Sequence, residues 1–426
     1  MSKNEEKKRV VVTGIGVVSP AGIGKHEFWK NISAGKSCIS EITRFDTSRF
    51  KAKIAGEIKN FSPSKYLGIE ADDEAHRVEL FGMCAARMAV EDSRLEIGAL
   101  DPERTGVCLG TSAGGMEITV NRLRHRAHCN GHGNGKEKSF LSEYVSVLPG
   151  NLSASVAQSV AANAICLGFS TGCTASSDAI GHAFEYIQDG LADVMIVGGS
   201  EAPIEPITVQ AFDAIGTLSH RNDPQCSSRP FDRERDGFVI GEGAGILVLE
   251  EAGFAQRRGA RMYSEIVGYE TACDAFHLTS SDPAMIASTK VILGALKQAG
   301  IEREQVNYIS AHGSSTQMND LRETETIKSA FGQHAYSVPI TGLKSMIGHT
   351  SGAAAALQAV ALTLAIDHGF CPPTINYQVP DPKCDLNYVP NHGIPAPIRF
   401  ALQNTYAYAG KNTAILYRKL EGTLAA

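Results

Sequence analysis

Residues 164–190 read AICLGFSTGCTASSDAIGHAFEYIQDG, and their periodicity changes halfway along. The apolar run 164–169 has the length of a buried strand, and Ser170, Thr171 and Gly172 form a tight turn. Ile180, Ala183, Phe184 and Ile187 then recur at helical spacing as far as Gly190. A strand therefore passes through an elbow into a helix, and Cys173 stands at the elbow.

The same grammar extends in both directions. Upstream, 79–95 has helical spacing through Leu80, Met83, Ala86 and Val90, and 106–111 is a short buried strand ending in Ser112-Ala113-Gly114-Gly115. Downstream, strand 194–197 ends in Gly198-Gly199-Ser200-Glu201, and 246–249 is another buried strand. Beyond residue 252 the pattern repeats. It predicts strand 262–267, helix 285–298, strand 308–311, helix 320–331, a strand-like stretch 338–345, a turn at Gly348, helix 352–368, and strands 400–404 and 413–417. Two α/β halves of similar design, 1–252 and 253–426, follow without a linker. Near the start, Val10-Val11-Val12 runs into Thr13-Gly14-Ile15-Gly16, which reads as a strand entering a packed turn. It does not read as a dinucleotide fingerprint, because Ser19 stands where the third glycine belongs.

Composition narrows the function. The 426 residues are 43% hydrophobic and 20% charged, which excludes disorder and a small disulfide scaffold. A net charge of -6 offers no global basic field for nucleic acid or an anionic membrane. The ten cysteines never come closer than seven residues apart, so CxxC redox and zinc spacings are absent, and a reduced cytoplasmic setting is expected. The N-terminus lacks the apolar core of a secretory signal, and no apolar stretch reaches the roughly 20 residues of a membrane span. His125, His128, Cys129 and His132 crowd one polar segment, but Gly131, Gly133 and Gly135 among them argue for a loop without ligand geometry, so no metal is expected.

A thiol in the first turn of a helix meets the positive end of the macrodipole, which favours thiolate and makes Cys173 the candidate nucleophile. Two further loops carry histidine beside glycine: Ser310-Ala311-His312-Gly313-Ser314-Ser315-Thr316 and Lys344-Ser345-Met346-Ile347-Gly348-His349. Together they form a candidate Cys-His-His site.

These three segments resemble, in order and separation, the signatures of β-ketoacyl-acyl-carrier-protein synthases. Arg229-Pro230-Phe231-Asp232 and Arg235-Asp236-Gly237-Phe238 extend the resemblance over nearly the whole chain. Residues 202–215 and 384–390 look more like ketosynthase alpha subunits of type II polyketide synthases than like the fatty-acid elongating synthase II. The resemblance implies a thiolase-like fold, two βαβαβαββ halves stacked as a five-layered αβαβα sandwich and usually dimeric. It implies that Cys173 accepts an acyl chain from a carrier protein and that His312 and His349 hold a malonyl thioester as it loses carbon dioxide. The N–H groups of Cys173 and Tyr408 would form the oxyanion hole, Ser314 and Thr316 would meet the pantetheine arm, and Phe212 would wall the acyl pocket. No metal, nucleotide or redox cofactor is implied. The partners implied are acyl carrier protein and a second protomer, either a copy or a chain-length-factor-like subunit.

Two departures stand out. Lys344, which the resemblance implies is catalytic, usually faces a glutamate in this family, and the matching position is Gln358, expected on the substrate-binding side of the site. The loop that normally reads Phe-Gly-Phe-Gly-Gly-Thr-Asn is here Tyr406-Ala407-Tyr408-Ala409-Gly410-Lys411-Asn412, which predicts a stiffer gate and places Tyr406 at the substrate. The stretch 70–74 is acidic, although carrier proteins are acidic themselves, and Arg77, Arg122, Arg124 and Arg126 are candidate docking charges. Two alternatives remain: a fatty-acid elongating synthase, and a non-catalytic chain-length-setting subunit, which Cys173 argues against. A thiolase proper would want a further cysteine after Cys384.

Overall fold

A computed structural model describes residues 7–68, 76–115 and 147–421. The first half contributes β1 (Val10–Ser19), β2 (Thr105–Gly110), β3 (Cys166–Phe169), β4 (Val194–Glu201) and β5 (Gly243–Glu251), in spatial order β1-β5-β4-β2-β3. The β1/β5 and β5/β4 pairs are antiparallel; the β4/β2 and β2/β3 pairs are parallel. The second half contributes β6 (Ser264–Cys273), β7 (Tyr308–Ser310), β8 (Ile340–Thr341), β9 (Phe400–Ala407) and β10 (Lys411–Arg418), in order β6-β10-β9-β7-β8. The senses run in the same sequence, two antiparallel pairs and then two parallel. The halves are thus topological copies, joined where Val10–Val12 of β1 pairs with Ser264–Ile266 of β6.

Alternation along the strands shows the layers, because successive side chains point to opposite faces. Met195, Val197, Leu247, Leu249, Ile415 and Tyr417 belong to a central core with the helices Ala175–Gln188 and Ala354–His368. Their neighbours Val194, Ile196, Ile246 and Val248 face a second core on α1 (Arg77–Ser93) and α2 (Gly150–Val160). Helix α3 (Ala175–Gln188) follows the elbow, and α4 (Ile286–Ala299) and α5 (Gln317–Phe331) cover the outside of the second sheet against Leu402, Ala414 and Leu416. Helix α6 (Ala354–His368) is buried without interruption from Ala354 to Ile366, so it has no amphipathic stripe, as expected of a helix clasped between two sheets. The result is the αβαβα sandwich of a thiolase-like fold.

Two expectations are corrected. Residues 13–16 do not form a turn, because β1 continues through them with only a register shift between Val12 and Gly14. A Cβ on Gly16 would lie 1.8 Å from Ala85 O and one on Gly14 2.2 Å from Ala89 O, so these glycines let α1 sit directly on the strand. The strand-like stretch 338–345 pairs only at Ile340–Thr341. Gly342 sends its N–H to Thr374 Oγ1 (2.8 Å), and Lys344–Ile347 closes into a helical turn. The histidine-rich segment, the acidic stretch 70–74 and Arg122, Arg124 and Arg126 lie outside the described residues. Among those described, no cluster could hold a metal ion and no helix is long and apolar enough to cross a membrane.

Candidate active site

Gly172, at φ 70°, turns the chain after β3, and Gly172–Thr174 forms a single 3-10 turn before α3 begins. That turn delivers Cys173 into a cavity of about 430 Å³ whose wall also includes Phe212, His312, His349, Tyr406 and Tyr408. Ser314 and Thr316 line it as well, their hydroxyl oxygens 2.9 Å apart. Residues more than 200 positions apart in sequence thereby share one chamber.

Each histidine is held by its backbone and by one ring nitrogen. The N–H groups of His312 and Gly313 donate to the two oxygens of buried Glu323 on α5 (2.7 and 2.8 Å). The His349 N–H donates to Val239 O, and its Nδ1 accepts from Ser351 N at 3.1 Å. Because Nδ1 of His349 accepts, the proton belongs on Nε2. His312 Nδ1 lies 3.5 Å from Lys344 Nζ, which as an ammonium only donates, so beside the charged lysine the His312 proton is on Nε2 too. The rings stand nearly perpendicular with centroids 5.3 Å apart. Burial, reinforced by the Lys344 charge, holds both imidazoles well below their ordinary value. Two neutral N–H donors therefore share the cavity with the thiol.

Lys344 and Gln358 sit behind this pair, both almost fully buried. Lys344 Nζ donates to His312 O (2.5 Å) and to Gln358 Oε1 (3.1 Å), while Gln358 Nε2 donates to Ala311 O (2.8 Å). The amide thus takes the hydrogen bond but supplies no charge. Burial accordingly brings the ammonium down to about 8, against the pull of Glu323, Cys173 and Asp320. Glu323 is itself pushed up to about 7, chiefly by burial.

Cys173 behaves differently from the expectation of a favoured thiolate. Burial pushes its thiol up to about 11, with Glu201 adding to the rise and Lys344 opposing it. The helix end cannot outweigh the loss of solvent. Glu201, which sequence reasoning passed over, closes β4 and accepts from Thr111 Oγ1, from the N–H groups of Ser112 and Ala113, and from Gly352 N in the loop beyond His349. An acidic residue ending an otherwise apolar buried strand was its visible signal. Glu323 gave less warning, since a glutamate within a polar helix looks solvated.

On the far wall, the ring of Phe212 meets Phe238 edge-on at 5.2 Å, and Phe238 meets His349 likewise at 5.1 Å. Tyr406 is buried with its ring edge toward His312, and its hydroxyl has no hydrogen-bond partner among the described residues. The gate loop does reach positive φ without glycine: Ala409 sits at φ 61°, a strain of about 1 kcal/mol, while Ala407 stays extended.

Two family models match: the β-ketoacyl synthase N-terminal domain over residues 7–255 and its C-terminal domain over 263–378. The chain belongs to the β-ketoacyl synthase family. It is 39% identical over 426 residues to the 3-oxoacyl-[acyl-carrier-protein] synthase 2 of a Synechocystis strain, spanning 98% of this chain and all of that one. It is 42% identical over 400 residues to the tetracenomycin polyketide synthase ketoacyl synthase alpha subunit of Streptomyces glaucescens, with 92% of each chain covered. Among solved structures, it matches a type II polyketide ketosynthase bound to its acyl-carrier protein with TM-score 0.88 and 40% identity, over 97% of this chain and all of that one. It matches the ishigamide ketosynthase/chain length factor with TM-score 0.89 and 34% identity, at the same coverage. The protein is an acyl-transferring condensing enzyme, a ketosynthase.

Proposed function

We propose that this chain is the catalytic alpha subunit of a type II polyketide synthase, with Cys173 as nucleophile and His312 and His349 as the decarboxylating pair. The observation that carries the mechanism is the pair of neutral Nε2–H donors sharing a cavity with Cys173. Cys173 Sγ attacks the acyl thioester of a carrier protein. The carbon–sulfur bond to pantetheine breaks, and the thiol proton passes to the departing sulfur. A malonyl thioester then enters, meeting the hydroxyls of Ser314 and Thr316, and the two imidazoles donate to its carbonyl oxygen. The carboxylate leaves as carbon dioxide, its electron pair forms an enolate, and that carbon attacks the acyl group on Cys173. The N–H groups of Cys173 and Tyr408 hold the oxyanion, and collapse returns the cysteine and leaves a β-ketoacyl chain on the carrier. These steps need no metal, nucleotide or redox group. Phe212 walls the acyl side, and Tyr406 backs His312.

The proposed partners are acyl carrier protein and a second ketosynthase-type protomer, a copy of this chain or a chain-length-factor-like subunit. Strand β3 supports contact with a second protomer: among the described residues it is the last strand of its sheet, and Cys166, Leu167 and Gly168 are exposed along it, an apolar edge suited to pairing with another chain. The nine described cysteines are all free, which supports a reducing, cytoplasmic setting. A fatty-acid elongating synthase is the second reading, favoured by the full-length similarity to a synthase 2.

Intact-mass spectrometry after exposure to acyl- and malonyl-carrier proteins tests the proposal, with Cys173→Ala as control. An adduct confined to Cys173, consumed on adding malonyl carrier and dependent on a partner subunit, is expected. An adduct formed and elongated without any partner would favour the fatty-acid reading, and no adduct with any chain would overturn catalysis.

A further inference from the structure

One carboxylate near the nucleophile has no part in the chemistry described above. Asp178 is buried in the first turn of α3, five residues beyond Cys173, and four hydroxyls surround it. Its Oδ2 accepts from Thr171 Oγ1 (2.5 Å) and lies 3.1 Å from Thr174 Oγ1. Its Oδ1 accepts from Tyr269 Oη (3.0 Å) and Thr271 Oγ1 (3.3 Å). Thr171 and Thr174 bracket Cys173 in the chain, whereas Tyr269 and Thr271 stand on β6 in the other half of the molecule. Among the described residues no lysine or arginine forms an ion pair with Asp178. Hydroxyl donors and the positive end of α3 hold this charge in place of a cation.

We propose that Asp178 is a positioning residue for the nucleophile, clamping both flanks of Cys173 to the second half so that the thiol and its N–H keep one orientation. This rests on the proposed role of Cys173. The chemistry suits the task. A carboxylate accepts at both oxygens and can serve donors from opposite sides at once, whereas an amide would turn an N–H₂ toward one of the hydroxyl pairs. Thr174 also reaches Thr171 O (3.0 Å), so the turn is closed locally and anchored remotely by the same group of hydroxyls. Tyr269 has little freedom to follow a displaced elbow, since its ring fills the space in front of Gly181, where a Cβ would lie 2.2 Å from it.

The mechanism separates two readouts. Acylation of Cys173 needs the elbow, while decarboxylation of malonyl-carrier protein needs His312 and His349, which are fixed by Glu323, Val239, Ser351 and Lys344. In Asp178→Asn the rate of Cys173 acylation, followed by intact mass, is expected to fall about ten-fold or more, with malonyl decarboxylation within about two-fold of the parent. Tyr269→Phe, which removes one remote donor and leaves the elbow residues untouched, should show the same split at smaller size. Equal loss of both activities in the two variants would mean a merely structural carboxylate, and unchanged acylation would remove the positioning role. A parent protein that forms no adduct would instead overturn the assignment of Cys173 itself.

Discussion

Lys344 and Gln358 concentrate what is particular to this chain. An ammonium held by a neutral amide is easily deprotonated, and its value of about 8 places that loss near working pH. The charge helps keep both imidazoles neutral and lies behind the enolate site, so malonyl decarboxylation should decline as pH rises through about 8. Gln358→Glu sets a carboxylate where the amide oxygen now stands 3.1 Å from Nζ, which raises the ammonium, and the decline should move to higher pH. The pH profile of carbon dioxide release in the two proteins checks this, and coincident profiles would show that Lys344 does not govern the step. Sequence alone pointed to the missing charge, because Lys344 and Gln358 lie 14 residues apart across a recognisable motif. It could not show that Gln358 uses its other end to hold Ala311 O, since that depends on where β7 ends.

Among the elements, β1 and α1 illustrate how close packing hides from periodicity. Gly14 and Gly16 look like turn residues in a one-dimensional reading, yet they lie inside a ten-residue strand and are required by the helix backbone above them. Gly16→Ala would drive its Cβ into Ala85 O, a backbone atom that cannot rotate away, and should cost about 3 kcal/mol. The thermal midpoint should fall clearly with the folded spectrum retained, and a midpoint equal to the parent would refute the contact. The expected bounds of α4 and α6 lie within two residues of the observed ones, because apolar spacing and glycine stops mark them, whereas α5 begins three residues before the expected 320 and α2 was not expected. The strand expected at 308–311 is β7, whereas of the strand-like stretch 338–345 only Ile340–Thr341 pairs, as β8, because the N–H of Gly342 turns away to Thr374.

At the scale of the whole molecule, β3, which among the described residues ends its sheet, is the feature with the largest consequence. It lies one turn before the nucleophile, so an added strand there would also brace the elbow. Leu167, 36% exposed, should tolerate lysine in the isolated chain, while Leu167→Lys should disrupt association. For the complex with the partner protomer proposed above, sedimentation is expected to shift from dimer mass to protomer mass, and an unchanged complex would place the interface elsewhere.

Local sequence determined the alternation of strands and helices, the duplication of the pattern, and the three loops that carry Cys173, His312 and His349, because each depends on neighbours within a few residues. Only the tertiary structure decided the rest. Glu201, Glu323 and Asp178 became supports of the site through backbone groups and hydroxyls brought from distant strands, and burial pushes the Cys173 thiol up despite its place at a helix start. Protonation and orientation depend on what surrounds a group in space, and spacing along the chain does not carry that information.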